Sequence, residues 1–340
     1  ALASVGCEIV RLAVLDLDAA LALKRICTAT ALPIIADIHF DSRLAVLAVE
    51  AGVKGLRINP GNIGGPDKVD RVVNAARAAG VPIRIGVNSG SVDKDLLRKY
   101  GGPTPEAMVE SAMEHVRLLE ERGFRDIKIS LKSSSVLKTI AAYRLMSKAV
   151  EYPLHIGVTE AGTAMRGAVK SSVGLGILLA EGIGDTIRVS LTVPAVEKHA
   201  EITAARAILE DVKAGVDAKQ LEEAVRFMHP AGLNIISCPS CSRVESDAFV
   251  DLAMRVREAT RYAAEHPFTI AVMGCRVNGP GETDHADLGL WCGPNSVNLK
   301  RGGELLGSFS FDEIIDRLKR ELDELIARRR NVDNHLGISP

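Results

Sequence analysis

Aromatic residues, cysteines and unbalanced charge are all scarce in this chain of 340 residues. Aromatic residues make up 4% of it, with one Trp, and there are six cysteines. Six cysteines are too few for a disulfide scaffold, so we expect reduced thiols and a cytoplasmic protein. The 42 Lys and Arg residues almost equal the 43 Asp and Glu residues, for a formal net charge of −1. Such a balance gives no long-range field that gathers nucleic acid, and we expect no nucleic-acid partner.

Long hydrophobic runs are missing as well. The longest apolar stretches, such as residues 45–49 and 177–180, are far shorter than the roughly 20 residues that a membrane-spanning helix needs. We therefore expect no membrane span. The chain begins ALASVGCEIVRLAV, in which no initiator Met, Arg-rich leader or apolar signal core is visible, and we expect no targeting signal.

Short β-rich runs alternate with longer amphipathic patterns up to about residue 213, which is typical of parallel β/α units. Seven such units predict a (β/α)₈ TIM-type barrel whose first strand is missing from this chain, or else an open doubly wound sheet. The start of the sequence favours the barrel. The predicted strands are CEIVRLAV, PIIADIHF, KGLRINP, VPIRIGVNS, DIKISLKS, PLHIGVTE and DTIRVSLTV.

The rhythm changes after residue 213. A helix over 217–228 lies in a predicted linker, 214–232, and ends near His229 and Pro230. Residues 233–340 then predict a small α+β domain. Its expected elements are a strand at 233–236, a CPSC turn, a helix at 246–265, a strand at 268–273, a GPGE turn, strands at 287–291 and 297–300, and a helix at 312–328.

Polar side chains occupy strand positions where a parallel barrel normally has apolar ones. Side chains alternate between faces along a strand, and strands buried on both faces should consist almost entirely of Val, Ile and Leu. The polar residues that share a face are Arg57 with Asn59, Arg84 with Asn88, Lys128 with Ser130 and Lys132, Arg188 with Ser190, and Asp37 with His39, while Arg11 lies near the end of the first strand.

Beyond their first residues these strands carry only three acidic residues, Glu8, Asp37 and Glu160, to neutralise their cations. Burying an unpaired guanidinium costs several kcal/mol. Ion pairs between neighbouring strands are one solution. However, the carboxyl ends of parallel strands meet at the barrel mouth, so the shortage of acids favours a multiply charged ligand there, such as a diphosphate. His39 is either a core histidine or a substrate or catalytic contact.

Three cysteines have the spacing of a metal or cluster site. Cys238 and Cys241 bracket a Pro-Ser turn, and Cys275 follows a separate β-run. Three thiolates suit an iron-sulfur cluster or zinc, although a structural zinc site usually has a second ligand pair. The Gly-Pro-Gly turn can return Glu282 toward Cys275 as a fourth ligand, and Cys292 is the alternative. Cys7 and Cys27 are interpreted as small hydrophobic residues.

A series of long motifs runs through nearly the whole chain in a fixed order. With these motifs the chain resembles the hydroxymethylbutenyl diphosphate synthase family of the methylerythritol phosphate isoprenoid pathway, also called GcpE-type, in its bacterial two-domain form. The motifs are CEIVR, ADIHFD, LRINPGNIG, IRIGVNSGS, YGGPTPEAMVESAMEH, TEAG, GAVKSSVGLGILLAEGIGDTIRVSL, CPSCSR and GC-x-VNGPGE.

The resemblance implies a reductase that converts 2-C-methyl-D-erythritol 2,4-cyclodiphosphate to (E)-4-hydroxy-3-methylbut-2-enyl diphosphate by two-electron ring opening and dehydration. It implies a 4Fe-4S cluster as cofactor and reduced flavodoxin or ferredoxin as electron donor. The residues that match the family's sites are Cys238, Cys241, Cys275 and Glu282 as cluster ligands, Arg11, Arg57, Arg84, Lys132 and Ser190 as diphosphate contacts with Asn88, His39 and Thr159 nearby, and Glu160 as the acid that protonates the departing oxygen.

The resemblance further implies a head-to-tail homodimer in which the cluster domain of one subunit caps the barrel of the other. The chain departs from the family pattern in lacking a strand and helix with a Gln-Ser-Met-Thr motif, and in carrying Arg276 and Cys292. Two alternatives stay open. One is a barrel lyase or transferase for a phosphate substrate with a structural zinc tail, and the other is a non-enzymatic iron-sulfur carrier.

Overall fold

The computed structural model describes residues 1–59, 63–222, 232–239, 244, 248–275 and 277–336. Its N-terminal part is built from parallel strands that alternate with helices along the chain, as the period of the sequence predicts. The strands are β1 (Val10–Ala13), β2 (Ile34–Asp37), β3 (Gly55–Ile58), β4 (Ile83–Asn88), β5 (Ile127–Lys132), β6 (His155–Ile156) and β7 (Thr186–Ile187).

Helices connect these strands and pack their apolar sides against them. They are α1 (Leu17–Ala29), α2 (Ser42–Glu50), α3 (Pro66–Ala79), α4 (Lys94–Tyr100), α5 (Pro105–Glu120), α6 (Val136–Ala149), α7 (Ala164–Ala180) and α8 (His199–Lys213). The side chain of Asp41 accepts a hydrogen bond from the backbone N–H of Arg43 where α2 begins, and Thr104 does the same for Ala107 in α5. Such caps satisfy N–H groups that a helix leaves unpaired at its start.

The strands curve into a barrel that has one open seam. Strands β1 to β5 form one parallel sheet in sequence order, and β6 pairs with β7 in another. A bridge between Ile129 and Leu154 joins the two sheets. Within the described residues no ladder links β7 back to β1. The N-terminal segment is held to α8 instead, since Arg206 Nε donates to the carbonyl oxygen of Gly6 at 3.0 Å.

The C-terminal part has its own five-stranded sheet and its own apolar core, which runs from Leu233 to Ile326. Strands β8, β9 and β10 are parallel, and β10, β11 and β12 are antiparallel. The elements are β8 (Asn234–Ser237), α9 (Ala248–Ala259), β9 (Thr269–Met273), α10 (Gly279–His285), β10 (Leu288–Cys292), β11 (Val297–Arg301), β12 (Glu304–Phe309) and α11 (Ile314–Leu336).

The predicted fold class, a TIM-type barrel followed by a small α+β domain, is confirmed. Two details were wrong. The GPGE segment begins α10 instead of forming a turn, because Pro280 lies in the first helical turn, where its missing N–H is not needed. Strand β12 was not predicted, because its exposed and half-buried residues carry little hydrophobic signal. Of the predicted linker helix, residues 218–222 are helical and 223–231 lie outside the described residues. The domain boundaries stay predictions.

None of the described helices is both long enough and apolar enough to cross a membrane.

A buried hydroxyl reinforces the junction between β5 and β6. Tyr143 on α6 is fully buried. Its hydroxyl accepts a hydrogen bond from the backbone N–H of Leu131 at 3.0 Å and donates one to the carbonyl oxygen of His155 at 2.6 Å. Because few backbone bonds join these strands, the hydroxyl takes the place of part of the ladder.

We expect Tyr143→Phe to lower the free energy of unfolding by about 2 kcal/mol or more, because it leaves two buried backbone groups unpaired, each costing about 1–3 kcal/mol. Urea denaturation measures the loss. Tyr152→Phe is the matched control, since that half-buried hydroxyl bonds the side chain of Glu120 at 2.7 Å and its loss should cost about 1 kcal/mol or less. Equal losses in the two variants would contradict the role given to Tyr143.

Candidate active site

A small cavity lies where the barrel mouth meets the C-terminal domain. Its volume is about 20 Å³, close to the space that one water molecule occupies. Both domains contribute to its wall. The lining residues are Arg11, Arg57, Arg84, Asn88, Ser130, Lys132, Thr159, Glu160 and Arg188 from the barrel, and Cys238, Pro239, Cys275 and Asn278 from the C-terminal domain.

One buried carboxylate, that of Asp37, organises one side of this mouth. Asp37 is 1% exposed and forms ion pairs with Arg11 at 2.9 Å and Arg57 at 3.2 Å, while His39 Nε2 lies 3.1 Å from it. Arg57 Nη2 also donates to the carbonyl oxygen of Gly86 at 2.9 Å. A Cβ at Gly86 would lie 2.3 Å from Arg57 Nε, so only glycine leaves room for this guanidinium.

Arg84 and Lys132 lie in the same mouth and have no such partner. Neither side chain makes a hydrogen bond or an ion pair to a described residue. Lys132 is nevertheless buried, with 7% of its surface exposed. Burial, and then the charges of Arg11 and Arg57, lower the pKa of Arg84 below its usual value. Burial, followed by Arg84 and Arg188, likewise lowers the pKa of Lys132. A lowered pKa means that the surroundings oppose the positive charge, and an anion would reverse this.

The expected shortage of carboxylates is therefore only partly correct. Arg188 Nη2 lies 3.5 Å from Glu201, a residue of α8 that also pairs with Lys198 at 3.0 Å. Glu201 lies on a helix, so a count of acidic residues on the strands does not include it. The cations left over are Arg84 and Lys132.

Glu160 has a strained backbone at the cavity wall. Its φ is 44°, and it is the one non-glycine residue with positive φ in the described parts of the chain. That conformation costs about 1–3 kcal/mol and concentrates at functional sites. Asn278 Nδ2 donates to Glu160 Oε1 at 3.0 Å, so the C-terminal domain holds this barrel carboxylate in place.

Two of the three predicted thiol ligands line the same cavity. Cys238 and Cys275 are 0% and 2% exposed, and the backbone N–H of Val277 donates to Cys275 Sγ at 3.4 Å. Cys241 lies outside the described residues. Within the described part of the chain, no three His, Cys, Asp or Glu side chains stand close enough together to hold a metal ion.

Glu282 is directed at the barrel. Its carboxylate accepts hydrogen bonds from Ser89 Oγ at 2.7 Å and Ser134 Oγ at 3.5 Å. Burial, and then the charge of Glu160, raise the pKa of Glu282 to about 7. A Cβ at Gly281 would meet the carbonyl oxygen of Gly90 at 2.2 Å, so glycine is required here for α10 to approach the barrel.

The structure thus brings most of the predicted site residues together. Asn88 and Thr159 line the cavity with the cations, whereas His39 and Ser190 are buried and do not line it. Ser190 Oγ has no hydrogen-bond partner among the described residues. Cys292 lies on β10, and burial raises the pKa of its thiol to about 12.

Sequence reasoning missed four contributors to this region. Asn278 belongs to the VNGPGE motif and Ser89 to the VNSGS motif, so both motifs were noted without a role for these residues. Ser134 is one of three consecutive serines, and Glu201 had no visible signal. The two serines and Asn278 acquire their role only when the C-terminal domain lies on the barrel.

The barrel carries cations at its mouth, and the C-terminal domain adds cysteines and an amide that binds a barrel carboxylate. Such a site is typical of an enzyme that acts on a multiply charged small molecule. A family profile described as "GcpE TIM-barrel domain" matches residues 1–206, and one described as "GcpE protein C-terminal domain" matches residues 234–324. The chain belongs to the GcpE family.

Curated relatives share about half of its residues. The chain is 54% identical over 331 residues to 4-hydroxy-3-methylbut-2-en-1-yl diphosphate synthase (flavodoxin) of Maridesulfovibrio salexigens, which covers 97% of this chain and 87% of that protein. It is 53% identical to the protein of the same name from Lawsonia intracellularis, over 95% of this chain and 85% of that one. It is 52% identical to the protein of the same name from Nitratidesulfovibrio vulgaris, over 96% of this chain and 80% of that one.

We expect Lys132→Met to stabilise the protein, because it removes an unpaired buried cation. Replacing buried ions by apolar residues of similar size is neutral or gains roughly 1–4 kcal/mol. Because folding lowers the pKa of Lys132 below 10.5, the unfolded chain binds more protons between the two values, and the wild-type penalty shrinks as pH rises through that window. The stability gained by Lys132→Met should therefore be largest at pH values below that window and vanish near pH 10.5.

Urea denaturation over a pH series measures this gain. The exposed Lys148→Met should change the free energy of unfolding by less than about 0.5 kcal/mol. Inorganic diphosphate should raise the melting temperature of the wild type and of Lys148→Met, and that of Lys132→Met much less. A destabilised Lys132→Met variant that keeps the full diphosphate effect would contradict the assignment.

Proposed function

We propose that this protein is an iron-sulfur reductase that converts 2-C-methyl-D-erythritol 2,4-cyclodiphosphate to (E)-4-hydroxy-3-methylbut-2-enyl diphosphate. The observation that supports this most is the shared wall of the mouth cavity. Arg84 and Lys132, which lack acidic partners, lie in it with Glu160, Cys238 and Cys275. The names of the curated relatives support the same reaction.

The donor set fits a 4Fe-4S cluster. Cys238 and Cys275 offer soft thiolate ligands on a buried wall, and Cys241 follows Cys238 by three residues in the CPSC motif. We assign Glu282 as the fourth ligand, a role that requires its carboxylate to leave the hydroxyls of Ser89 and Ser134. When bound, the cluster would pass the two electrons of the reduction, one at a time, from the external donor to the substrate.

The barrel residues bind and orient the diphosphate. Arg84 and Lys132 have donors free for phosphate oxygens, and Arg11 and Arg57 present further cations beside them. Arg–phosphate contacts are charge-assisted and directional. Ser190, with its free hydroxyl, and Asn88, Thr159 and His39 complete the proposed substrate contacts.

Glu160 is the proposed proton donor to the departing oxygen. Positioned carboxylic acids are effective when their protonation state matches the task. Its strained backbone and the hydrogen bond from Asn278 fix the direction of this carboxyl group. Asn278 belongs to the C-terminal domain, so the acid is fully positioned when that domain is seated.

In the described arrangement the mouth cavity leaves no room for the substrate. A cavity of about 20 Å³ holds about one water, whereas a cyclic diphosphate is many times larger. We therefore propose that substrate enters when the C-terminal domain moves off the mouth. Closure then excludes water, which strengthens every charge interaction inside.

We assign reduced flavodoxin or ferredoxin as the electron donor, since the relatives are named for flavodoxin. We also propose a cytoplasmic location, because the thiols of Cys7, Cys27 and Cys292 are not bridged.

Anaerobic preparation tests the proposed cofactor and reaction together. We expect iron and acid-labile sulfide in equal amounts, and conversion of the cyclodiphosphate with reduced flavodoxin. Cys238→Ser and Cys275→Ser should lose both the cluster and turnover, because each removes a thiolate ligand. Cys292→Ser, which changes another buried cysteine, should keep both. Zinc without sulfide would favour the barrel with a zinc tail, and a cluster without turnover would favour the carrier.

We further propose a head-to-tail homodimer in which each cluster domain caps the partner's barrel. In the one chain of this structure the C-terminal domain lies on its own barrel, through Asn278 to Glu160 and Ser89 to Glu282. The same contacts can form whether the C-terminal domain caps its own barrel or the barrel of the partner.

Mixed dimers distinguish the two arrangements. Cys238→Ser and Glu160→Gln should each be inactive alone. When the two variants are combined in one dimer, capping between subunits restores one complete site, so up to about half of the wild-type activity per dimer should return. Capping within each chain leaves no complete site. Absence of recovery in a dimer shown to be mixed would overturn capping between subunits.

A further inference from the structure

A second and larger cavity lies between the barrel and the C-terminal domain. Its volume is about 410 Å³, within the range of sites for small molecules. Glu282 lines it, whereas Arg84 and Lys132 line the mouth cavity. The proposed reaction gives this second cavity no role.

One side of the cavity is cationic. Lys138, Arg166 and Lys170 all line it. Lys170 Nζ donates to Asn234 Oδ1 at 3.3 Å and to the carbonyl oxygen of Ser134 at 3.4 Å, and Arg166 Nη2 donates to the same Asn234 Oδ1 at 3.3 Å. These are long bonds to neutral acceptors, and they leave the positive charges uncompensated.

The acidic content of the wall does not balance these charges. Glu282 is the one carboxylate among the described lining residues, so three cations face one acid. Burial lowers the pKa of Lys170 to about 8, and Arg166 acts in the same direction while Glu282 opposes it. An additional anion would favour the charged form of this lysine.

The start of helix α6 adds hydrogen-bond donors to the same side. Residues 133–136 line the cavity, and Ser135 is the residue that caps α6. The positive end of a helix dipole and its first N–H groups favour an anion. Here they reinforce a charge pattern that the three cations already define.

Apolar side chains also line the cavity. They are Leu137, Val173, Ile236 and Phe268. An inorganic anion would leave these side chains without contact. The cations and the apolar residues together match a ligand that has a small anionic head and a short hydrocarbon tail.

We propose that this cavity binds a short-chain alkyl or alkenyl diphosphate, as a second site separate from the mouth. The choice of head and tail rests on the proposed function, because the proposed product belongs to this class. The diphosphate head lies against Lys138, Arg166 and Lys170, and the tail packs on Phe268 and Ile236.

Titration calorimetry of the cluster-loaded protein with 3-methylbutyl diphosphate tests this site. The wild type should bind two molecules per chain. The pair Arg84→Met with Lys132→Met should keep the second site, and the pair Arg166→Met with Lys170→Met should keep the mouth site while binding at the second weakens at least tenfold. Lys148→Met should keep both, and unfolding curves confirm that each variant is folded.

The tail is tested separately with inorganic diphosphate. It should bind the second site at least tenfold more weakly than 3-methylbutyl diphosphate, because it buries no methylene groups. Equal affinity would overturn the apolar subsite. One molecule per chain that is lost with Arg84→Met and Lys132→Met would overturn the second site. One molecule that is lost only with Arg166→Met and Lys170→Met would instead overturn the diphosphate site of the proposed function.

Discussion

Repulsion among buried cations is the constraint on which the rest of the barrel mouth depends. Asp37 neutralises part of the charge of Arg11 and Arg57, and Glu201 neutralises part of that of Arg188. Arg84 and Lys132 stay uncompensated, and burial, followed by the neighbouring cations, lowers their pKa values. A fold that holds such charges apart from water is less stable than one with apolar residues there, and it regains that free energy when an anion binds.

Neutral hydrogen-bond donors hold the second domain on this mouth. An amide from Asn278 reaches Glu160, and a hydroxyl from Ser89 reaches Glu282 across the interface. Neither contact adds a cation to a site that already repels itself. The close approach of Gly281 to Gly90 makes the interface tight, so these bonds form together or are lost together. In the proposed domain movement, closure of the mouth and positioning of the proposed acid are therefore one event.

The sequence allowed the fold and most residues of the candidate site to be predicted, for a physical reason. Strand and helix periods are local, and a polar residue such as Lys132 on a buried strand face is visible in the same pattern. What could not be predicted depends on distant contacts. Glu201 lies on a helix whose orientation the sequence does not show, and Asn278 has a role only across the domain interface. The backbone strain at Glu160 could not be predicted either, since no local sequence pattern marks a glutamate with positive φ.

Glu282 lines the second cavity, and its environment explains why it suits the proposed role of an exchangeable ligand. Buried carboxylates held by hydroxyl groups keep a high proton affinity, since neutral donors stabilise the anion less than a cation does. Its pKa of about 7 reflects burial and the neighbouring Glu160. Leaving Ser89 and Ser134 breaks hydrogen bonds to neutral hydroxyls, which costs less than breaking a buried ion pair would. In the proposed reaction this carboxylate is displaced in each cycle, so weak retention on both sides of its movement favours turnover.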